Sequence, residues 1–362
     1  MELDSRRNEE YILYYKPQHK KMKILISTGI YPPHIGGPAK YARSLKEELE
    51  KGGHSVKVKT YYLEHHLPIG IRQTLFFLKI IPAIFWTDFV FALDTFSVGL
   101  PSTLLCKILN KKIIMRTGGD FLWEKYVERT GDLVLLRDFY SAHKYPFSFK
   151  ERLIFKFTKW LLHNVSVLIF STSWQKNIWM EPYDLANIRV EIVENYYGSK
   201  IKTIEPPIKN FMAGTRKLKW KNADTLIKAF EEIKRMPESE FEELNNLHLD
   251  LSNYSIEEYI ERMRECYAAI LVSFGDISPN MILEAIRLNK PFIITEENGL
   301  MNRIKDIAIT VNPRDIEDIK NKVIWLCKKE NYQAQVEKIK KFDFHHSWGH
   351  IASEIIEVYK KL

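Results

Sequence analysis

Short apolar runs alternate with stretches of helical spacing along most of the chain. KILIST at 23–28 reads as a buried strand, Pro38 sits where a first helical residue would, and Ala42, Leu45 and Leu49 recur at helical spacing until Gly52 and Gly53 stop the helix. Further strands are expected at 55–61, 89–93, 112–116, 166–170 and 189–193, with helices over about 71–84, 99–109, 149–163 and 173–180 and a long irregular segment at 121–149. Residues 196–209, with Pro206 and Pro207, break the alternation and read as a linker. The pattern then restarts, with strands at 211–214, 247–251, 269–272, 291–295 and 307–311 and helices at 222–233, 256–266, 281–289 and 316–328. An aromatic-bearing segment at 342–348 leads into a last helix ending at Leu362.

Repeated βα units of this length imply parallel, doubly wound sheets with right-handed crossovers. The expected class is α/β, with two Rossmann-like domains in succession: a polar lead-in at 1–21, a first domain at 22–195, the linker at 196–209, a smaller second domain at 210–345 and a terminal helix at 346–362. In such sheets ligands bind at the carboxyl ends of the strands, so two facing domains make a cleft.

The stretch from 268 to 299 concentrates the chemistry. An apolar strand enters a turn at 273–280 that carries Asp276, and the helix behind it carries Glu284 on its first turns. Backbone N–H groups at a helix start lack intrahelical partners and attract anions. Carboxylates beside an anion site suit a ligand with hydroxyls as well as phosphates, and a sugar nucleotide is such a ligand.

Two other strand ends offer anion-binding features. After the first strand, Gly36 and Gly37 permit close backbone approach to a ligand or simply make a tight βα turn; the segment is neither GxGxxG nor a P-loop. After the first strand of the second domain, Arg216 and Lys221 are placed to neutralise a diphosphate, each charge-assisted hydrogen bond being worth roughly 1.5–3 kcal/mol. Lys217 and Lys219 read as a solvated loop.

Together these features resemble the retaining glycosyltransferases of family 4, with GT-B fold: the Gly36–Gly37 pair, Arg216 and Lys221, the Asp276-x7-Glu284 spacing, and His346-Ser-Trp348 before a final helix. The resemblance spans roughly residues 22–362. It implies transfer of a hexose from a UDP- or GDP-linked sugar to an acceptor hydroxyl, in cell-surface glycan or glycolipid synthesis, with the last helix crossing back onto the first domain. Glu284 would then hold the ribose hydroxyls and Asp276 the donor sugar. Ser278, Pro279, Asn280 and Met281 would set backbone groups near the phosphates, and Gly36 and Gly37 would bound those phosphates from the other domain. Arg216 and Lys221 would stabilise the departing diphosphate.

This chain departs from the family pattern in two places. The family's Glu-Gly-Phe-Gly loop is here Asp276-Ile-Ser-Pro, and its histidine after the fourth strand is replaced by Thr117-Gly-Gly-Asp120. Asp120 either takes over a catalytic contact with sugar hydroxyls or caps its own loop. Trp123, Tyr126 and Tyr140, in the 121–149 segment, either stack on an acceptor or pack their own domain. The chain has no Asp-x-Asp and no His/acid cluster at ligand spacing, so metal-independent transfer without a cofactor is expected. A sugar-nucleotide epimerase and a non-catalytic binding scaffold are alternatives on the same fold.

Composition changes the picture in one respect. Of a net charge of +8, residues 1–200 contribute 29 Lys+Arg against 20 Asp+Glu and the remainder 25 against 26, so the basicity belongs to the first half. That field suits an anionic membrane surface, an acidic substrate or a merely solvated surface. Nucleic acid is not expected, for want of any recognition-helix or aromatic RNA-binding signature. The helix at 75–86 either lies on a membrane or is an ordinary surface helix. Cys106, Cys266 and Cys327 read as reduced core thiols, and no apolar leader occurs in 1–21, so a cytoplasmic protein, peripheral on a membrane, is expected.

Overall fold

The computed structural model describes residues 20–362 except 35, 62, 63, 65, 69, 141–145, 214–216, 238–243 and 245. The first domain runs β1 (Lys23–Thr28), α1 (Gly37–Lys51), β2 (Ser55–Thr60), α2 (Ile71–Trp86), β3 (Phe89–Ala92), α3 (Gly99–Ile108), β4 (Lys112–Thr117), α4 (Phe121–Thr130), α5 (Phe149–Leu162), β5 (Val167–Phe170), α6 (Ser173–Met180) and β6 (Val190–Ile192). The second runs β7 (Lys209–Met212), α7 (Ala223–Lys234), β8 (Leu247–Asp250), α8 (Ile256–Glu265), β9 (Ala268–Leu271), α9 (Asn280–Arg287), β10 (Phe292–Thr295), α10 (Met301–Ile304), β11 (Ile309–Val311), α11 (Ile316–Cys327) and α12 (Lys329–Lys341); α13 (Trp348–Lys360) ends the chain.

Each domain is built on one parallel sheet, ordered β2-β1-β3-β4-β5-β6 and β11-β10-β9-β7-β8. Central strands such as β3, β5, β9 and β10 are buried at every position, the expected result of covering both faces of a parallel sheet with helices. The terminal helix belongs to the first domain: Ile351, Ile355 and Ile356 pack with Leu45, Phe89 and Phe91, and Tyr359 stacks on Phe89 at 4.3 Å.

Structure and sequence pattern differ in several places, among them the unexpected short helix α10 and a last strand that starts at Ile309 instead of 307. The irregular segment expected at 121–149 begins as α4, capped by Asp120 at its start and by Gly131 (φ 74°) at its end. α12 was not marked by the pattern because it buries only Gln335 and Ile339, too few apolar positions to show a period. β7 begins at Lys209 rather than 211, since ladder pairing with β8 continues through polar residues that an apolar-run criterion passes over.

The linker is pinned onto the second domain. Lys200 Nζ donates to the carbonyls of Ile286 and Ile339, both at 2.8 Å, and buried Lys290 donates to Ile204 at 3.0 Å. Burial lowers Lys200 to about 8 and pushes Lys290 down as well. All three cysteines are buried thiols that take part in no disulfide.

Candidate active site

The loop after β9 is held from three sides. Phe274 N donates to Trp220 O (2.9 Å), Asp276 N to Glu297 O (2.9 Å), and Gly299 N to Asp276 O (2.9 Å). Across the domain boundary Leu136 N donates to Phe274 O at 3.0 Å. A Cβ on Gly275 would stand 2.6 Å from the Leu136 Cβ, so only glycine lets the two domains meet here.

Lys221 and Asp276, expected together, are together. Lys221 Nζ lies 2.8 Å from Oδ2 and 3.1 Å from Oδ1, and the Ser273 hydroxyl donates to Oδ2 at 2.6 Å. Lys221 ends a single 3-10 turn, Lys219–Lys221, and also lies 4.3 Å from the Trp220 ring centre. Asn222, next in the chain at φ 61°, fastens this turn by donating to Val272 O and Pro313 O. Arg216, the second expected diphosphate cation, falls outside the described residues.

Glu284 sits on α9 one turn beyond Pro279, which caps the helix without a side-chain bond. Its Oε1 accepts from Lys40 Nζ of α1 at 2.9 Å and its Oε2 from Arg287 at 3.2 Å. Gly37 faces the same helix: a Cβ there would stand 3.1 Å from the Asn280 amide nitrogen. Gly36 precedes α1 as its N-cap, so the glycine pair of one domain does face the 278–281 segment of the other. Met281 is buried in the second domain's core, while Ser278 Oγ accepts from Asn195 Nδ2 at 2.8 Å.

The first-domain expectations need correction. Asp120 is 1% exposed, and its oxygens accept from Trp123 N (2.9 Å), Tyr140 OH (2.8 Å) and Trp179 Nε1 (2.7 Å). Burial raises its carboxyl pKa while these donors pull the other way. As the α4 N-cap it is enclosed by its own domain and presents no oxygen to the cleft. Trp123 and Tyr126 are buried too, in a core shared by both domains that also contains Trp220, Phe274 and Ile277. Half-buried Tyr140 is engaged by Asp120 and, at 3.2 Å, by Tyr183. These rings therefore join the domains instead of offering a face to an acceptor. Lys219, expected in a solvated loop, binds Glu128 of the first domain through its N–H (2.7 Å) and Nζ (2.9 Å).

Sequence reasoning missed Arg116, Asn195 and Glu297. Arg116, buried at the end of an apolar strand, donates to Asn195 Oδ1 and lies 4.0 Å from the Tyr41 ring centre; with Asn195–Ser278 this makes a polar chain across the cleft. A charged residue closing the run KIIMRT was the available signal. Glu297 is 0% exposed, its Oε1 is 3.0 Å from the guanidinium of Arg137 in the first domain, and burial raises it to about 7. Between the domains a cavity of about 90 Å³ is lined by Ser171, Asn195, Tyr197 and Ser278 and by the Glu194–Arg303 ion pair. It is well below the ~300–1,000 Å³ of a small-molecule site. The domains touch through Leu136 and Phe274 and through Lys40, which stands against the expected ribose ligand Glu284.

No sequence-family model matches the chain, and a comparison with curated protein sequences finds no relative. Solved structures do match over its length. Sucrose-phosphate synthase from Thermosynechococcus elongatus superposes with a TM-score of 0.69 at 13% identity, covering 94% of this chain and 99% of that one. Anabaena HepE in complex with UDP gives 0.63 at 15% identity, over 94% and 100%. The lipopolysaccharide outer core galactosyltransferase WaaB gives 0.60 at 13%, again over 94% and 100%. The fold is thus the two-domain GT-B arrangement of these glycosyltransferases, with the terminal helix returned to the first domain.

Proposed function

We propose that the chain is a retaining glycosyltransferase that moves a hexose from a nucleotide-diphosphate sugar to an acceptor hydroxyl, in building a cell-surface glycan or glycolipid. The observation that carries this reading is the convergence of Lys221–Asp276 and Glu284 at the strand ends of the second domain, opposite Gly37 of the first. Glu284 accepts hydrogen bonds from ribose hydroxyls once Lys40 yields. Asp276 accepts from hydroxyls of the donor sugar, and Lys221, with Arg216, neutralises the diphosphate as its bond to the anomeric carbon breaks. The acceptor oxygen bonds to that carbon on the face the diphosphate leaves, and the acceptor proton passes to the departing phosphate oxygen. This chemistry calls on no protein nucleophile, metal or cofactor.

Donor-dependent transfer by Lys221→Ala and Glu284→Ala, with a panel of nucleotide sugars, tests the assignment. Loss of no more than a few-fold in both would overturn it. Epimerised donor formed without acceptor would favour an epimerase, and the anomeric configuration of the product decides retention.

A further inference from the structure

One face of the first sheet is covered by α2, α3 and α5, whose inner sides share a single core through Phe76, Ile80, Leu105 and Leu161. Lys107 of α3 reaches the end of α5, donating to Asn164 and lying 5.6 Å from the Trp160 ring centre, so the three helices form one continuous layer. Their outer sides carry large apolar residues as well. On α2, Ile71, Leu75, Leu78 and Phe85 fall at i, i+4, i+7 and i+14, a single outward stripe opposite the buried one. α3 adds Ile108, and α5 adds Phe149 and Phe157, with Phe149 71% exposed. Helices of 16, 10 and 14 residues hold nine of the fifteen exposed large hydrophobic residues among the described residues. Large apolar side chains clustered on the outer side of surface helices lack a partner there, and patches of this kind mark interaction surfaces.

Charge identifies the partner. The three helices carry seven Lys and Arg and one acid, and that acid, Glu151, is buried and paired with Arg129 at 2.7 Å. Lys79 is engaged by Glu64 at 2.7 Å, and Lys159 stands 3.9 Å from Asp184. Lys107, Lys150, Arg152 and Lys156 are exposed among the outward apolar side chains. A second copy of the chain would set like charges face to face. We infer that the α2–α3–α5 layer docks on the interface of an anionic lipid bilayer, with its Phe, Leu and Ile side chains among the headgroups and its cations on the lipid phosphates. The helices run antiparallel to the strands, so Ile71 and Phe149, at their first turns, bring the lipid surface to the cleft's rim. The inference goes beyond the proposed reaction and does not depend on it, because docking requires neither donor nor acceptor.

The test is co-sedimentation of the full chain with vesicles of phosphatidylcholine alone and of phosphatidylcholine mixed with phosphatidylglycerol. Binding at least tenfold tighter to the anionic vesicles and weakened by salt is expected. Phe149→Ser with Phe157→Ser, and separately Lys150→Glu with Lys156→Glu, should each weaken it tenfold or more with an unchanged melting temperature, since all four side chains are exposed. Equal binding to both vesicles, binding to neither, or self-association of the wild type that the Phe149→Ser/Phe157→Ser variant abolishes would each overturn the inference. The last result would make the layer an interface between copies.

Discussion

Lys40 Nζ stands 2.9 Å from Glu284 Oε1, so a cation on the first helix of one domain occupies the carboxylate that the other domain would offer to a ribose. The pair also helps hold the domains together. It is half-exposed on the lysine side, which limits its strength to ~0.2–1 kcal/mol. Lys40→Ala should therefore raise affinity for a nucleoside diphosphate by up to about fivefold, read by calorimetry. Weaker binding would mean that Lys40 contacts the donor itself.

Lys221 is bonded to both oxygens of Asp276. The proposed role toward a departing diphosphate predicts that Lys221→Ala lowers kcat/KM roughly ten- to a hundredfold, the kinetic equivalent of one charge-assisted hydrogen bond. Steady-state rates with the preferred donor check this, and a change in KM alone would assign Lys221 to ground-state binding.

Glu297 is buried at the domain boundary and titrates near 7 instead of 4.5. The folded protein holds this proton more tightly than the unfolded chain. Its contribution to stability is therefore complete below about pH 4.5 and is lost as pH rises through about 7. Glu297→Gln should raise stability at pH 8 by about 1–3 kcal/mol and change it little at pH 5. Paired thermal melts read the difference; a fall at pH 8 would show that the ion pair with Arg137 outweighs the cost of burial.

Gly275 permits contact between the domains, with Leu136 in the space a side chain would need. Gly275→Ala should force the domains apart and break the hydrogen bond from Leu136 N to Phe274 O. Small-angle scattering should record a larger radius of gyration for the variant, and an unchanged radius would mean that the loop yields instead.

Asp120 satisfies a backbone N–H, a tyrosine hydroxyl and an indole N–H inside the first domain. Removing it leaves the Trp123 N–H and the Trp179 indole N–H buried without that acceptor, at about 1–3 kcal/mol for each group, while Tyr140 keeps its bond with Tyr183. Asp120→Ala should lower the urea midpoint markedly, whereas Asp120→Asn, which keeps an acceptor oxygen, should lower it less.

The order of the strands was legible because a parallel sheet covered on both faces demands continuous apolar strands, and runs such as KILIST and AAIL supply them. That Lys221 and Asp276, 55 residues apart, would share one cleft was legible in the same way, since strand ends of one sheet face one cleft; that they would bond each other was not. The roles of Asp120, Trp123 and Tyr126 were not. An acid or a ring carries the same letter whether it lines a cleft or fills a core; here α4 turned Trp123 and Tyr126 inward into the core with Trp220 and Phe274, and Asp120 onto Tyr140 and Trp179. Nothing local to Lys40, Arg137 or Glu297 forecast their contacts across the boundary. Sequence periodicity reports how each segment meets its own sheet, so by itself it determined two α/β domains and one set of strand-end residues. Which surfaces of those domains touch, and which carboxylates lose their water as a result, depends on how two finished surfaces fit, and only the tertiary structure decided that.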